Sequence, residues 1–260
     1  MQRYGYNGRL LQVDLTTRAI AFEERNDSWW RMAAGGGLLA TELLLRGTPA
    51  GIDPFDPENL LIVTSSVVAG QPYAGLARFT VVAKSPLTGG IGETRCEGPF
   101  AAALKRSGAD AIVIRGRAVE PVVLVIDDGM PTIEPAGDLW GRDIGATTDA
   151  LRERFGPDAS IAAIGPAGEN LVRFASIVSD RNHQAARMGM GAVAGSKLLK
   201  AIVIRGGTLP PVADPERCEA LTRHYAEQMT VNDLTRWQLE PPGFAAWVHV
   251  MTDDTAICAE

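Results

Sequence analysis

Apolar and polar residues alternate through residues 8–17 and again through 18–24, so each stretch reads as a half-buried strand, with the Thr16-Thr17 pair as the turn of a hairpin. After Gly35-Gly36-Gly37 the leucines of residues 38–45 fill one helical face, and Pro49 and Gly51 end that helix. Trp29-Trp30, just before it, reads as packing beneath a sheet. Apolar runs at 59–66 and 79–84 predict buried strands. Pro99 suits the first turn of a helix, where no amide hydrogen is needed, and predicts a helix over 100–105 stopped by Gly108. Strands follow at 111–114 and 122–126, the latter turning at Asp127-Asp128-Gly129. The pattern then predicts a helix over 147–155, a strand over 160–164 and a tight loop at Gly165-Pro166-Ala167-Gly168. Leu209-Pro210-Pro211 reads as a linker, beyond which Cys218, Leu221, Tyr225 and Met229 fall at helical spacing between Pro215 and Leu239. These breaks divide the chain into 1–210 and 211–260.

One strand occurs twice. Ala111-Ile112-Val113-Ile114-Arg115-Gly116 returns as Ala201-Ile202-Val203-Ile204-Arg205-Gly206, and each copy closes a segment that opens on an Arg-Phe pair, Arg78-Phe79 and Arg173-Phe174. Between pair and hexapeptide lies a glycine-rich stretch with basic residues, 89–98 in the first segment and 181–195 in the second. The pattern implies a duplicated α+β unit, the alternative being chance recurrence of a buried strand that ends in Arg-Gly. Two half-sites related by a pseudo-twofold would grip a ligand that is itself doubled and negatively charged.

Composition narrows the class. With 46% hydrophobic and 22% charged residues the chain has the makeup of a soluble globular protein. No apolar run reaches the ~20 residues that span a bilayer, and the start of the chain lacks the apolar stretch of a secretory signal, so a cytoplasmic protein without membrane contact is expected. The net charge of −6 argues against nonspecific nucleic-acid binding, which needs a clustered positive footprint. Three widely spaced cysteines, Cys96, Cys218 and Cys258, make neither a disulfide framework nor a CxxC metal motif.

Glycine-rich turns and guanidinium groups together suit phosphate, because their donors are fixed in space and match paired oxygens. Residues 84–95 and 180–191 both have that makeup, and neither fits a Walker or dinucleotide fingerprint. Each feature also has a plainer reading. Glycine-rich segments more often serve turns than ligands. His183 is either a ligand contact or a solvated side chain. Arg78 and Arg173 either face a ligand or pair with carboxylates at the edge of the core. Gly35-Gly36-Gly37 either offers amides to an anion or relieves crowding under a helix. Cys96 is either a thiol activated by nearby arginines or a small packed residue.

Four stretches together carry a family resemblance: residues 4–17 with Tyr4-Gly5-Tyr6-Asn7-Gly8, residues 83–93 with Lys84-Ser85-Pro86-Leu87-Thr88-Gly89, residues 164–175 with Ile164-Gly165-Pro166-Ala167-Gly168-Glu169-Asn170, and residues 189–197 with Gly189-Met190-Gly191 and Gly195-Ser196-Lys197. Residues 4–207 resemble, in order, the N-terminal domain of the aldehyde ferredoxin oxidoreductase family. The resemblance implies a duplicated α+β base that seats two pterins sharing one tungsten (or molybdenum), in an enzyme that oxidises aldehydes to acids and passes electrons through a [4Fe-4S] cluster to ferredoxin. By motif, Arg78 matches a pterin-contacting arginine. Residues 92–98, with Gly92, Glu93, Thr94, Arg95, Cys96 and Gly98, match the segment at the first pterin phosphate and its bridging magnesium, and His183, Gln184, Ala185 and Arg187 match the symmetric one. Arg78, Arg95 and Arg187 are expected to neutralise the cofactor's charge, and Gly92, Gly98, Gly189 and Gly191 to let backbone donors approach it.

There are two departures. Thr94-Arg95-Cys96-Glu97-Gly98 stands where many members have a serine-asparagine-serine-glycine-glycine run, and His183 replaces a usual arginine; both weigh against magnesium here. The family's cluster cysteines and acid/base residues lie in helical domains beyond residue 260, so no catalytic or metal-ligating side chain is expected in this chain. Residues 211–260 resemble the incomplete start of the second domain. The expectation is therefore the pterin-binding part of such an oxidoreductase, truncated or split, with a cysteine-rich helical half or subunit as partner and room for a homo-oligomer. The alternative is a noncatalytic carrier, sensor or scaffold subunit for the pterin cofactor.

Overall fold

The computed structural model of the chain describes residues 3–71 and 76–239. In the first repeat a hairpin of β1 (Arg9–Asp14) and β2 (Ala19–Glu24) is followed by α1 (Asp27–Ala33), α2 (Gly36–Gly47), β3 (Leu61–Ser65), β4 (Arg78–Lys84), β5 (Ile91–Glu97), α3 (Phe100–Arg106) and β6 (Ala111–Arg115). The second repeat runs β7 (Val122–Asp127), β8 (Met130–Pro135), α4 (Ile144–Phe155), β9 (Ser160–Ala163), the short α5 (Pro166–Glu169), β10 (Ile177–Ser179), β11 (His183–Ala185), α6 (Met190–Ser196) and β12 (Leu199–Arg205). The sheets are ordered β2-β1-β6-β3-β4-β5 and, read in the same sense, β8-β7-β12-β9-β10-β11. Only β1–β6 and β7–β12 are parallel; the other neighbours are antiparallel in both sheets. The fold is thus a duplicated α+β unit.

The repeated hexapeptide forms an interior strand of each sheet, which is why it carries no polar residue until its arginine. Ile112, Ile114, Ile202 and Ile204 face a core shared by both sheets, while Val113 and Val203 face the opposite sides. A strand covered on both faces reads as an unbroken apolar run. Helices α3 and α6 each touch strands of both sheets, and they bury Phe100 and Leu104, and Met190 and Val193, in that shared core. On the outer faces, α1 and α2 cover the first sheet through Trp30, Leu39 and Leu44, and α4 covers the second through Leu151. Trp30 therefore packs on the sheet.

The matching registers correct one expected marker. Counted from Ala111 and Ala201, Thr64 and Ala163 are equivalent, and across the next ladder so are Thr80 and Val178. Arg78 then corresponds to Ser176, not to Arg173. Phe79 is fully buried, whereas Phe174 is 71% exposed. The two Arg-Phe pairs share sequence but not place. The expected loop at 165–168 is also a helical turn, started by Pro166 at its first position.

The duplicated unit extends through Ala213, with Pro211 O accepting a hydrogen bond from Gly5 N at 2.9 Å. A second unit starts at Asp214, whose carboxylate accepts from Arg217 N (2.9 Å) and caps α7 (Pro215–Val231). Asn232 ends that helix before α8 (Asp233–Leu239), so the expected single helix is two. Cys258 and the rest of 240–260 lie outside the described residues. Among the described residues no helix is long and apolar enough to cross a membrane.

Candidate functional site

Both glycine-rich stretches, expected as loops, contain strands at the ends of their sheets. Residues of β5 alternate outward and inward, with Glu93, Arg95 and Glu97 facing out and Gly92, Thr94 and Cys96 in. β11 is a three-residue strand paired with β10. End strands have one side free of ladder partners, and here the two ends meet. Arg187 N donates to Thr94 Oγ1 at 3.2 Å, and Ser85 Oγ donates to Met188 O at 2.8 Å.

Carrying the register one strand further shows how they meet. Thr80 lies opposite Arg95 and Val178 opposite Gln184, so Arg95 and Gln184 are equivalent. Glu93 then corresponds to Asn182, Thr94 to His183, Cys96 to Ala185, Glu97 to Ala186 and Gly98 to Arg187. Two open clefts flank this seam. One, of about 320 Å³, is lined by Glu93, Thr94, Arg95, Gln184, Ala186 and Arg187. The other, of about 430 Å³, is lined by Arg78, Arg95, Cys96, Glu97, Asn182, His183 and Gln184. Exchanging equivalent residues turns five of the six residues lining the first cleft into residues of the second; the sixth, Arg187, maps to Gly98 beside the His183 ring, and Arg78 and Cys96 line the second cleft alone, so the clefts are approximate partners across a local dyad. The contacts obey it too: Arg187 lies on Thr94, and Gly98 lies on His183, where a Cβ would stand 2.6 Å from the imidazole Cδ2.

The clefts differ in charge. Arg95 Nε pairs with Glu93 at 2.8 Å, and Arg78 Nε with Glu97 at 2.9 Å. The Arg187 guanidinium has neither ion pair nor hydrogen bond among the described residues. Glu93 also approaches the start of α2, where a Cβ on Gly37 would stand 2.5 Å from Oε2. A carboxylate is favoured there by the amide dipoles of the helix N-terminus. Gly37 thus lets a carboxylate of the chain itself come close.

Several expected site residues do other work. Cys96 is 2% exposed, and burial, assisted by the negative charges of Glu97 and Asp180, pushes its thiol pKa up despite a contact to Ser179 Oγ. It is the small packed residue, not an activated nucleophile. Ala185 likewise points into the core. The glycines at the seam are closely packed: a Cβ on Gly92 would lie 2.7 Å from Met190 Cε, on Gly189 2.0 Å from Arg173 O, and on Gly191 2.3 Å from Ser176 O. The Gly191 amide is already bonded to Ala175 O. Gly98, at φ +111°, lies against the ring of His183, which lines the second cleft. Asn182, Ala186 and Glu97 line the clefts without having been singled out. For Glu97 a signal existed, the alternating charges of Glu93, Arg95 and Glu97, which is a strand period and not a loop.

Two six-stranded sheets repeated about a dyad, with their end strands meeting in twin arginine-bearing clefts, define a duplicated α+β domain. The chain belongs to the aldehyde ferredoxin oxidoreductase family: residues 10–206 match the family model described as aldehyde ferredoxin oxidoreductase, N-terminal domain. It is 37% identical over 252 residues to the tungsten-containing aldehyde ferredoxin oxidoreductase of Pyrococcus furiosus, covering 96% of this chain and 42% of the relative. It is 31% identical to the aliphatic sulfonate oxidoreductase, WOR-like subunit, of the same organism, covering 93% of this chain and 41% of that one. Among solved structures, the active-site complex BamBC of benzoyl coenzyme A reductase, in complex with 1,5-dienoyl-CoA, is similar at a TM-score of 0.86 and 34% identity, covering 90% of this chain and 36% of the other. The chain thus spans less than half the length of these relatives, all of which are named as oxidoreductases or as part of a reductase.

Proposed function

We infer that this chain is the cofactor-seating part of a tungsten oxidoreductase of the aldehyde ferredoxin oxidoreductase type, which converts aldehydes to carboxylic acids with ferredoxin as electron acceptor. The observation that supports this reading best is the pair of dyad-related clefts, since a bis-pterin cofactor is itself two-headed and carries a phosphate at each end. The donor set suits such a group. The Arg187 guanidinium is unpaired among the described residues, Arg95 can exchange a carboxylate for a phosphate, and Gln184 offers amide hydrogens at the point shared by both clefts. When bound, the tungsten-pterin group would supply the redox chemistry. The chain's own residues orient and neutralise. Arg95, Gln184 and Arg187 would hold one anionic end, Arg78, Arg95 and His183 the other, and the seam contacts keep both cradles at a fixed spacing.

Proton transfer, the [4Fe-4S] cluster and the substrate channel belong, in this reading, to parts of the enzyme outside the described residues. Cytoplasmic location and association with a helical, cysteine-rich half are parts of the same proposal. Metal analysis and pterin fluorescence on protein purified from cells that make the cofactor provide the test. Arg95→Ala together with Arg187→Ala is expected to lower bound tungsten and pterin about tenfold or more, in line with the loss of two charge-assisted contacts. Undiminished loading in a folded double variant would overturn the assignment.

A further inference from the structure

Resting on that cradle reading, we propose that the two clefts are unequal anion sites: the Arg187 cleft fills first, and the Glu97 carboxylate, by engaging Arg78, holds the His183 cleft back. The inference comes from what the dyad fails to repeat. Glu97 lies directly opposite Arg78 on the neighbouring strand and pairs with it. Their equivalents are Ala186 and Ser176, so no carboxylate and no ion pair stand at the matching place in the other cleft. In return, the Arg187 cleft has an arginine where the His183 cleft has Gly98.

The difference decides how an incoming phosphate is received. At the Arg187 cleft it meets a guanidinium with no partner among the described residues, whose backbone is fixed by the bond from Arg187 N to Thr94 Oγ1. The one carboxylate of that cleft, Glu93, is turned to Arg95 and to the start of α2. At the His183 cleft, Arg78 is engaged by Glu97, Arg95 by Glu93, and the imidazole is packed on Gly98. An anion entering there must displace Glu97 from Arg78 and then remain beside a carboxylate. Cross-strand charge pairs of this exposed kind are weak enough to open, so Glu97 sets an order of filling and does not seal the cleft. A cofactor with two anionic ends would therefore be captured by one end at the Arg187 cleft and closed down on the other.

The test uses the full 260-residue chain, labelled with nitrogen-15, and pyrophosphate as the probe at low ionic strength. Amide resonances of Ala186 and Arg187 report one cleft and those of Asn182 and His183 the other. In the unaltered chain the first pair should titrate at about fivefold lower pyrophosphate concentration than the second, the size of one surface charge pair. Glu97→Gln, with Glu97→Ala as a second variant, should bring the second midpoint down about fivefold and leave the first in place. Arg187→Ala should abolish the early response and spare the late one. A common midpoint for both pairs, or a second midpoint that Glu97→Gln does not move, overturns the proposal while leaving the cradle reading standing. No response at either cleft up to saturating probe defeats both.

Discussion

Asp110 and Lys200 occupy the same point of the two repeats, one residue before the shared hexapeptide, yet they carry opposite charge. Asp110 is buried, accepts hydrogen bonds from the amides of Asn7 (2.9 Å) and Gly8 (2.7 Å), and pairs with Lys105 Nζ at 2.6 Å. Lys200 is equally buried, donates to Arg142 O at 2.8 Å and pairs with Glu169. Each ties the strand that follows to a segment of its own repeat. What the duplication has kept is the position of a polar anchor at the mouth of a buried strand, where backbone groups leave the ladder and need partners. The sign follows from what faces it: amide hydrogens at Asn7 and Gly8, carbonyl and carboxylate oxygens at Arg142 and Glu169. The clefts repeat the lesson, with the same strands and register but a different distribution of charge.

The largest effects should come from breaking either anchor. Asp110→Ala leaves Lys105 and two amides without a partner, and Lys200→Ala removes the cationic partner of the buried Glu169, which keeps only the Gly141 amide at 2.7 Å, so each is expected to cost about 3–5 kcal/mol, read as a fall in the urea midpoint. A strong asymmetry between these two variants would show that one repeat carries the stability of the unit. Double substitutions within a pair, Lys105→Met with Asp110→Leu for instance, should recover part of the loss.

A pH effect of intermediate size separates the repeats next. Lys197 corresponds to Ser107, whose hydroxyl makes only local bonds, donating to Leu104 O and accepting from Ala109 N. Lys197 instead reaches into the first repeat and donates to Pro57 O (2.8 Å) and Gly116 O (3.2 Å). Burial lowers its pKa from 10.5 to about 8, against the opposing pull of Glu58 and Asp56. Below pH 8 the folded and unfolded chains both hold this proton, and the cost of the buried charge is fully present. Between pH 8 and 10.5 the folded chain releases it first, so stability rises with pH, by roughly 2–3 kcal/mol for this one group. Urea unfolding of the unaltered chain and of Lys197→Met at pH 7.5 and pH 10 checks it; the difference between them should grow by that amount, and a difference independent of pH would refute the burial argument.

The smallest of these effects concerns the paired helices α3 and α6. Ala101 in the first corresponds to Gly191 in the second. Gly191→Ala drives a methyl group against Ser176 O and should cost about 2 kcal/mol by overpacking, whereas Ala101→Gly should cost about 1–2 kcal/mol by the opposite route, a lost buried methyl and lower helix propensity. Thermal melts of the two variants give the comparison directly.

Much of the fold was legible beforehand because the signals are local or periodic. The hexapeptide announces a strand covered on both faces, Asp127-Asp128-Gly129 a hairpin whose turn residues Asp128 and Gly129 both take positive φ, and Gly35-Gly36-Gly37 the start of α2. The site was legible as composition but not as geometry. Glycine-rich, basic sequence at 89–98 suggests a loop by its residue types, yet the charges at Glu93, Arg95 and Glu97 follow the period of a strand, and only the ladder to β4 makes that period decisive. Likewise the glycines at 92, 189 and 191 read as room for a ligand by residue type, and only the approach of Met190, Arg173 and Ser176 shows how closely they are packed.

What the chain's sequence determined by itself was the duplication, most of the strands and helices outside the glycine-rich stretches, the family and the presence of arginines suited to an anion, because each depends on residues near one another along the chain or on a pattern repeated whole. The tertiary structure alone decided that Arg95 and Gln184 are counterparts, that Arg187 shares a cleft with Arg95, and that Glu97 stands against Arg78 on one side of the dyad with no match on the other. These are relations between residues brought together by strand register and by the meeting of two sheet ends, and a register shifted by one residue would turn each of those side chains to the other face.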